Sequence, residues 1–139
     1  MYIALMGCAQ QGAGAAALSL SLDSTSGDLE LNGAAGGSVT GAIADAVGAI
    51  TATASGGAGG NSFAWTNTEL ADDDGVFSVS ATGTTNQAAY DGLVIAMDTS
   101  GDSGGEAHGG QYRIRCTVTD SASATATADF TLNINGNVE

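Results

Sequence analysis

Two alternating runs near the C-terminal end limit what this chain can fold into more than any other feature. In the first, Tyr112 to Asp120, the residues Tyr112, Ile114, Cys116 and Val118 share one parity while Arg113, Arg115, Thr117 and Thr119 take the other. In the second, Ala124, Ala126, Ala128, Phe130, Leu132 and Ile134 alternate with Thr125, Thr127, Asp129, Thr131 and Asn133. Successive side chains of an extended chain point to opposite faces, so each run predicts a strand with one apolar and one polar face. Only Ser121, Ala122 and Ser123 separate the runs. A parallel pair would need a crossover of about a dozen residues. The stretch from Gln111 to Ile134 is therefore an antiparallel hairpin, and the upstream chain must cover its apolar face.

The upstream chain offers more short strands. Leu18, Leu20 and Leu22 alternate with Ser19, Ser21 and Asp23, and Leu29 and Leu31 allow a brief extension before the break at Gly33 to Gly37. Val39 to Val47 fits neither period. Ile50, Ala52 and Ala54 alternate with Thr51 and Thr53, and after the glycine loop Ser55 to Gly60 comes Ser62 to Thr66, with Phe63 and Trp65 on one parity. Asp72 to Gly75 reads as a turn, Val76 to Ser80 as a strand, Ala88 to Met97 as a fifth strand of unfixed register, Asp98 to Gly110 as an exposed mobile loop, and Gly136 to Glu139 as a tail. About seven short strands, turn signals between them and no clear helix predict an antiparallel sandwich of two sheets. Its expected core is Ile50, Phe63, Trp65, Cys116, Phe130 and Leu132, with the only tryptophan at the centre.

Composition narrows the partners. Fifteen acids face two arginines and no lysine, a formal net charge of −13 that repels phosphate, so neither nucleic acid nor an anionic membrane is an expected partner. No apolar stretch reaches the ~18 residues of a membrane-spanning helix. Without lysine, a lysine-to-asparagine isopeptide clamp is excluded. Residues 1–17 are rich in Ala and Gly and carry Tyr2, Ile3, Leu5 and Met6; so apolar a segment ahead of a folded domain needs a covering neighbour, and we read it as an extended assembly arm before a domain spanning 18–139. Leu5 to Cys8 mimics a lipoprotein cleavage box, but no basic residue precedes it and its apolar core is too short for a secretory signal. Cys8 and Cys116 cannot make a zinc site alone, and Cys116 lies on an apolar parity.

Two segments bear a likeness. Thr51 to Trp65, TATASGGAGGNSFAW, and Arg115 to Thr127, RCTVTDSASATAT, resemble the strand, glycine loop, aromatic strand and closing hairpin of immunoglobulin-like domains on virion proteins of tailed bacteriophages. The chain departs from that pattern at Asn61 and Ile114, where aromatics are common, and at Ser123, where glycine is usual. The resemblance implies an immunoglobulin-like β-sandwich over residues 18–134, a structural or adhesive role, and no catalytic residues.

The residues themselves offer little chemistry. His108, the only histidine, falls in the Asp98 to Gly110 loop, where nothing in the sequence fixes its tautomer. Asp98, Asp102, Ser103 and Glu106 could supply oxygens to calcium, but the spacing fits no EF-hand. We therefore expect no enzyme activity, no cofactor and no metal. The expected role is a virion protein, a capsid decoration or a neck or tail accessory, that meets copies of itself, other virion proteins and host-surface glycans. A subunit of an extracellular bacterial or archaeal filament assembling by strand donation is the alternative, and a calcium-dependent carbohydrate-binding module a third.

Overall fold

The computed structural model describes residues 16–80, 83–87 and 93–139. Its central pair is longer than the alternation indicates. Strands β8 (Ala107–Thr119) and β9 (Thr125–Val138) stay in antiparallel register from Ala107↔Asn137 to Thr119↔Thr125. The predicted tail is strand: Val138 pairs with Gly33, and the Glu139 N–H donates to the Gly33 carbonyl at 2.9 Å. The glycines of these strand ends do not make turns. Gly110 and Gly136 lie in strands because a Cβ on either would run into the Phe77 ring, and on Gly136 also into the Met97 sulfur.

This pair is flanked by β2 (Ser26–Gly33) beside β9 and β5 (Ser62–Asp72) beside β8, giving a four-stranded sheet in the order β2-β9-β8-β5. Along β5 the register is antiparallel, with Trp65 opposite Cys116 and Phe63 opposite Val118. The β2 to β9 pairing is parallel, from Ser26↔Thr131 to Gly33↔Val138, which corrects the purely antiparallel expectation. Parallel neighbours so far apart in sequence leave no local trace, and Leu29 and Leu31, 3% and 4% exposed, are full core members.

The opposing layer is made of β3 (Ser38–Ala42), β6 (Phe77–Ser80) and β7 (Val94–Asp98) in the order β3-β7-β6, with β1 (Ser19–Leu22) and β4 (Ala52–Ser55) as a further antiparallel pair. An isolated antiparallel bridge, Thr51↔Gln87, lies just before β4. Between β3 and β4 lies a short helix, α1 (Ile43–Val47), absent from the sequence expectation. The Asp45 carboxylate accepts the Ala42 N–H at 3.1 Å, and Gly48, at φ +73°, ends it. Ile43 and Ile50, both fully buried, pin the detour to the core.

The protein is an all-β sandwich. Leu29, Leu31, Trp65, Tyr112, Ile114, Cys116, Phe130, Leu132 and Ile134 from the larger sheet meet Ile43, Ile50, Ala52, Phe77, Ile95 and Met97 from the other layer in one cluster. Trp65 also donates its indole N–H to the Thr85 carbonyl at 2.8 Å, so the ring is held at both its apolar and its polar end. The proposed fifth strand shrinks to β7, and residues 88–92 lie outside the described region.

Candidate functional site

Of the core residues named from sequence, Trp65 is 3% exposed, Ile50, Cys116, Phe130 and Leu132 are fully buried, and Phe63 is partly buried against the cluster. Cys116 is a free thiol whose pKa burial pushes up to about 11, which leaves it protonated and unreactive near neutral pH. Tyr2, Ile3, Leu5, Met6 and Cys8 lie outside the described residues. At the arm's junction, the Ala16 carbonyl accepts the Gly57 N–H at 2.7 Å, so residues 16–18 run beside the glycine loop that follows β4.

The inward row of β8 starts with His108, passes through Gly110, Tyr112, Ile114, Cys116 and Val118, and runs on to Asp120 just past the strand. Twelve residues of extended chain place these two ionisable groups about 40 Å apart, at opposite ends of the sandwich.

At the far end, Asp120 is 6% exposed. One carboxylate oxygen accepts the N–H groups of Ala122 and Ala124, both at 2.9 Å, and the other accepts the Ala58 N–H at 2.8 Å. These bonds to backbone N–H groups, led by Ala58 and Ala124, hold its pKa below the usual value of 3.8. A single side chain thus ties the closing hairpin to the glycine loop beside the arm.

At the near end, the structure overturns the reading of His108 as a loose loop residue. It lies in β8, 8% exposed, facing Gly136 across the sheet. Its Nδ1 is 2.9 Å from Asp74 Oδ2 and its Nε2 is 3.2 Å from Asp102 Oδ2. The bond to Asp74 first, then those to Asp102, raise its pKa above 6.5 against the opposing effect of burial. Sequence reasoning missed this because Asp74 is 34 residues away, on the turn after β5.

The acids of the expected calcium loop are engaged by the protein itself. Asp98 accepts the Ser100 N–H at 2.9 Å, which lowers its pKa, Glu106 Oε2 accepts the N–H groups of Ser103 and Gly104, both at 3.0 Å, and Asp102 faces the imidazole. Among the described residues no three such groups converge on one point. Asp72, the first of the acidic run, caps the turn by accepting the N–H groups of Gly75, Val76 and Phe77. The Tyr112 hydroxyl donates to the Phe77 carbonyl at 3.0 Å, and burial pushes its pKa up to about 12.

The polar face of the larger sheet carries Arg115 paired through both nitrogens with Asp129, at 2.6 and 2.7 Å, and Arg113 beside Thr68. Gln111, Asn133 and Asp28 form a hydrogen-bonded row across three strands. On the opposite layer, a groove of about 620 Å³ is lined by polar and apolar residues alike, among them Ser38, Val76, Phe77, Met97, Asp98 and Ser100. Among the described residues no helix is long and apolar enough to cross a membrane.

No protein-family model and no curated protein matches the chain. Among solved structures it is similar to the ASH/PapD-like domain 7 of human CEP192, at 12% identity and a TM-score of 0.48 over 86% of this chain and 84% of that one. It is also similar to a nucleoside hydrolase-related hypothetical protein from Saccharophagus degradans associated with carbohydrate metabolism, at 16% identity and a TM-score of 0.34, covering 90% of this chain but 26% of that one.

Proposed function

We propose that this chain is a non-enzymatic structural protein of a tailed-phage virion, a capsid decoration or a neck or tail accessory, that docks in many copies on a repeated lattice. The observation that supports the reading is how the reactive groups are placed. The only histidine has both ring nitrogens against carboxylates, and Cys116 is buried and protonated, so among the described residues neither a free imidazole nor a thiolate is offered to a substrate. What remains outward is a hydroxyl- and amide-bearing sheet face and a strongly acidic surface, suited to contact rather than to chemistry. The virion assignment rests on the two segments quoted above. Many copies on one lattice give avidity that a single weak contact lacks, and the arm, residues 1–17, is the docking element in this reading.

The test is localisation. Antibody against the purified chain, applied to phage particles and viewed in negative stain, should mark regularly spaced positions on the head, neck or tail. A truncation to residues 18–139 should keep its fold, read by circular dichroism, and lose binding to particles. Polymerisation of the pure chain into filaments, with no label on particles, would replace this reading with strand donation between subunits.

A further inference from the structure

The His108 cluster has a property that neither its burial nor its distances require of a purely structural contact: it is complete only in one protonation state. A neutral imidazole has one N–H and one lone pair. Here both ring nitrogens lie within hydrogen-bond reach of a carboxylate, Asp74 from the turn after β5 and Asp102 from the loop between β7 and β8. Both contacts are satisfied together only by the imidazolium. Loss of one proton leaves a lone pair facing an anion, and one of the two contacts must open.

The exposures decide which. The Asp102 side chain is 14% exposed and that of Asp74 is 58% exposed. A carboxylate released into water loses little, whereas one left buried against a lone pair bears its full desolvation cost. That difference outweighs the shorter distance to Asp74. The neutral ring therefore keeps its proton on Nε2, toward Asp102, and lets Asp74 go.

The surroundings supply no competing cation. The charged or ionisable side chains on the elements around the ring are Glu69, Asp72, Asp73 and Asp74 from β5 and its turn, Asp98 at the end of β7, Asp102 and Glu106 on the loop, Tyr112 on β8 itself, and Glu139 after β9. Asp72, Asp98 and Glu106 are engaged by backbone N–H groups, and both arginines stand on the opposite parity of β8.

We propose that His108 is a pH-operated latch: as imidazolium it clasps the Asp74 side chain to the loop at 99–106, and on losing its Nδ1 proton it frees that side chain and loosens the tip of the turn, whose base stays pinned by the Asp73 N–H on the Gly109 carbonyl, while holding the loop. Gly75, Val76 and Phe77 form one wall of the 620 Å³ groove, so the latch acts at that groove's rim. Deprotonation also removes the one positive charge among the described residues at this end of the molecule.

Because the chain has one histidine, its ring signals in nuclear magnetic resonance are unambiguous. The full-length protein should show a ring titration midpoint above 6.5, both nitrogens protonated below it, and the Nε2–H tautomer above it. Amide exchange at residues 74–76, corrected for intrinsic pH dependence, should rise about tenfold through the midpoint, as loss of one charge-assisted hydrogen bond predicts, with Asp73, held by the Gly109 carbonyl, and 100–106 little changed. Asp74→Asn, at an exposed site where folding is not at stake, should lower the midpoint and remove the exchange step. A midpoint at or below 6.5, an Nδ1–H neutral tautomer, or exchange that ignores the titration would each overturn the proposal. These readouts need no virion, so their failure is separate from failure of the assembly reading.

Discussion

The two ends of β8 solve the same problem with opposite charge. Each places an ionisable side chain on the inward row and uses it to hold a loop that the sheet cannot hold by backbone pairing alone. Asp120 gathers N–H groups that belong to fixed turns, so its partners never change charge. His108 gathers two carboxylates, so its grip depends on a proton. One end is a permanent staple over the pH range where carboxylates are ionised, and the other is conditional. The lesson is that burial alone does not say whether a polar group is structural or switchable; the chemistry of its partners does.

The largest break in that comparison should come from Asp120→Ala. It strands three backbone N–H groups at once and leaves the hairpin joined to the glycine loop only through Ser121, so we expect thermal melting to fall by on the order of 10 °C. His108→Gln, which can keep one of its two contacts, should cost clearly less in the same melt. Equal losses at the two ends would end the distinction between staple and latch.

The pH dependence follows with opposite signs. Asp120 has a folded pKa below 3.8, so its contribution is full above that value and disappears as pH falls through the depressed folded pKa. His108 has a folded pKa above 6.5, so its contribution is full below 6.5 and disappears as pH rises through the raised folded pKa. Melting temperature against pH should therefore decline on both sides of a plateau. His108→Gln should flatten the alkaline decline and leave the acid one, and Asp120→Asn should do the reverse.

Packing also differs between the ends. Gly136 faces His108 where the Met97 sulfur and the Phe77 ring press against the backbone, so Gly136→Ala should cost about 1–3 kcal/mol by overpacking. Gly59, in the loop at the Asp120 end, has nothing within 4 Å of a Cβ, so replacing it should cost only backbone strain at φ +74°. Urea unfolding of the two alanine variants measures both.

The same contrast explains what the sequence made legible. The alternation of Tyr112 to Val118 and of Ala124 to Ile134 encodes their hairpin directly, because a period of two is a local signal. The ends of that hairpin were hidden, since His108, Gly109, Gly110 and Gly136 have loop-like composition, and here glycine admits Phe77 and Met97 instead of making turns. Strand β2 went under-read because a parallel partner about a hundred residues away, Leu29 beside Ile134, is invisible to any window. Helix α1 is too short to show a period. The carboxylate partners of His108 were each visible as acids in turns, but only the fold brings Asp74 to the ring.

The smallest expected effect lies at the hairpin turn that Asp120 holds. Ser123 is the one described residue other than glycine with a positive φ, +67°. A side chain in that conformation crowds its own backbone, and glycine does not. The Ser123 N–H donates to the Asp120 carbonyl at 3.0 Å, a bond that survives any side-chain change. Ser123→Gly should therefore relieve strain without losing a backbone contact, against a larger loss of chain entropy on folding, for a net gain of about 0.5 kcal/mol. The gain should appear equally at pH 5 and pH 8 in urea unfolding, because neither Asp120 nor its partners change charge between those values. A gain confined to one pH would mean that the two ends communicate through β8, and the staple could then no longer be treated as independent of the latch.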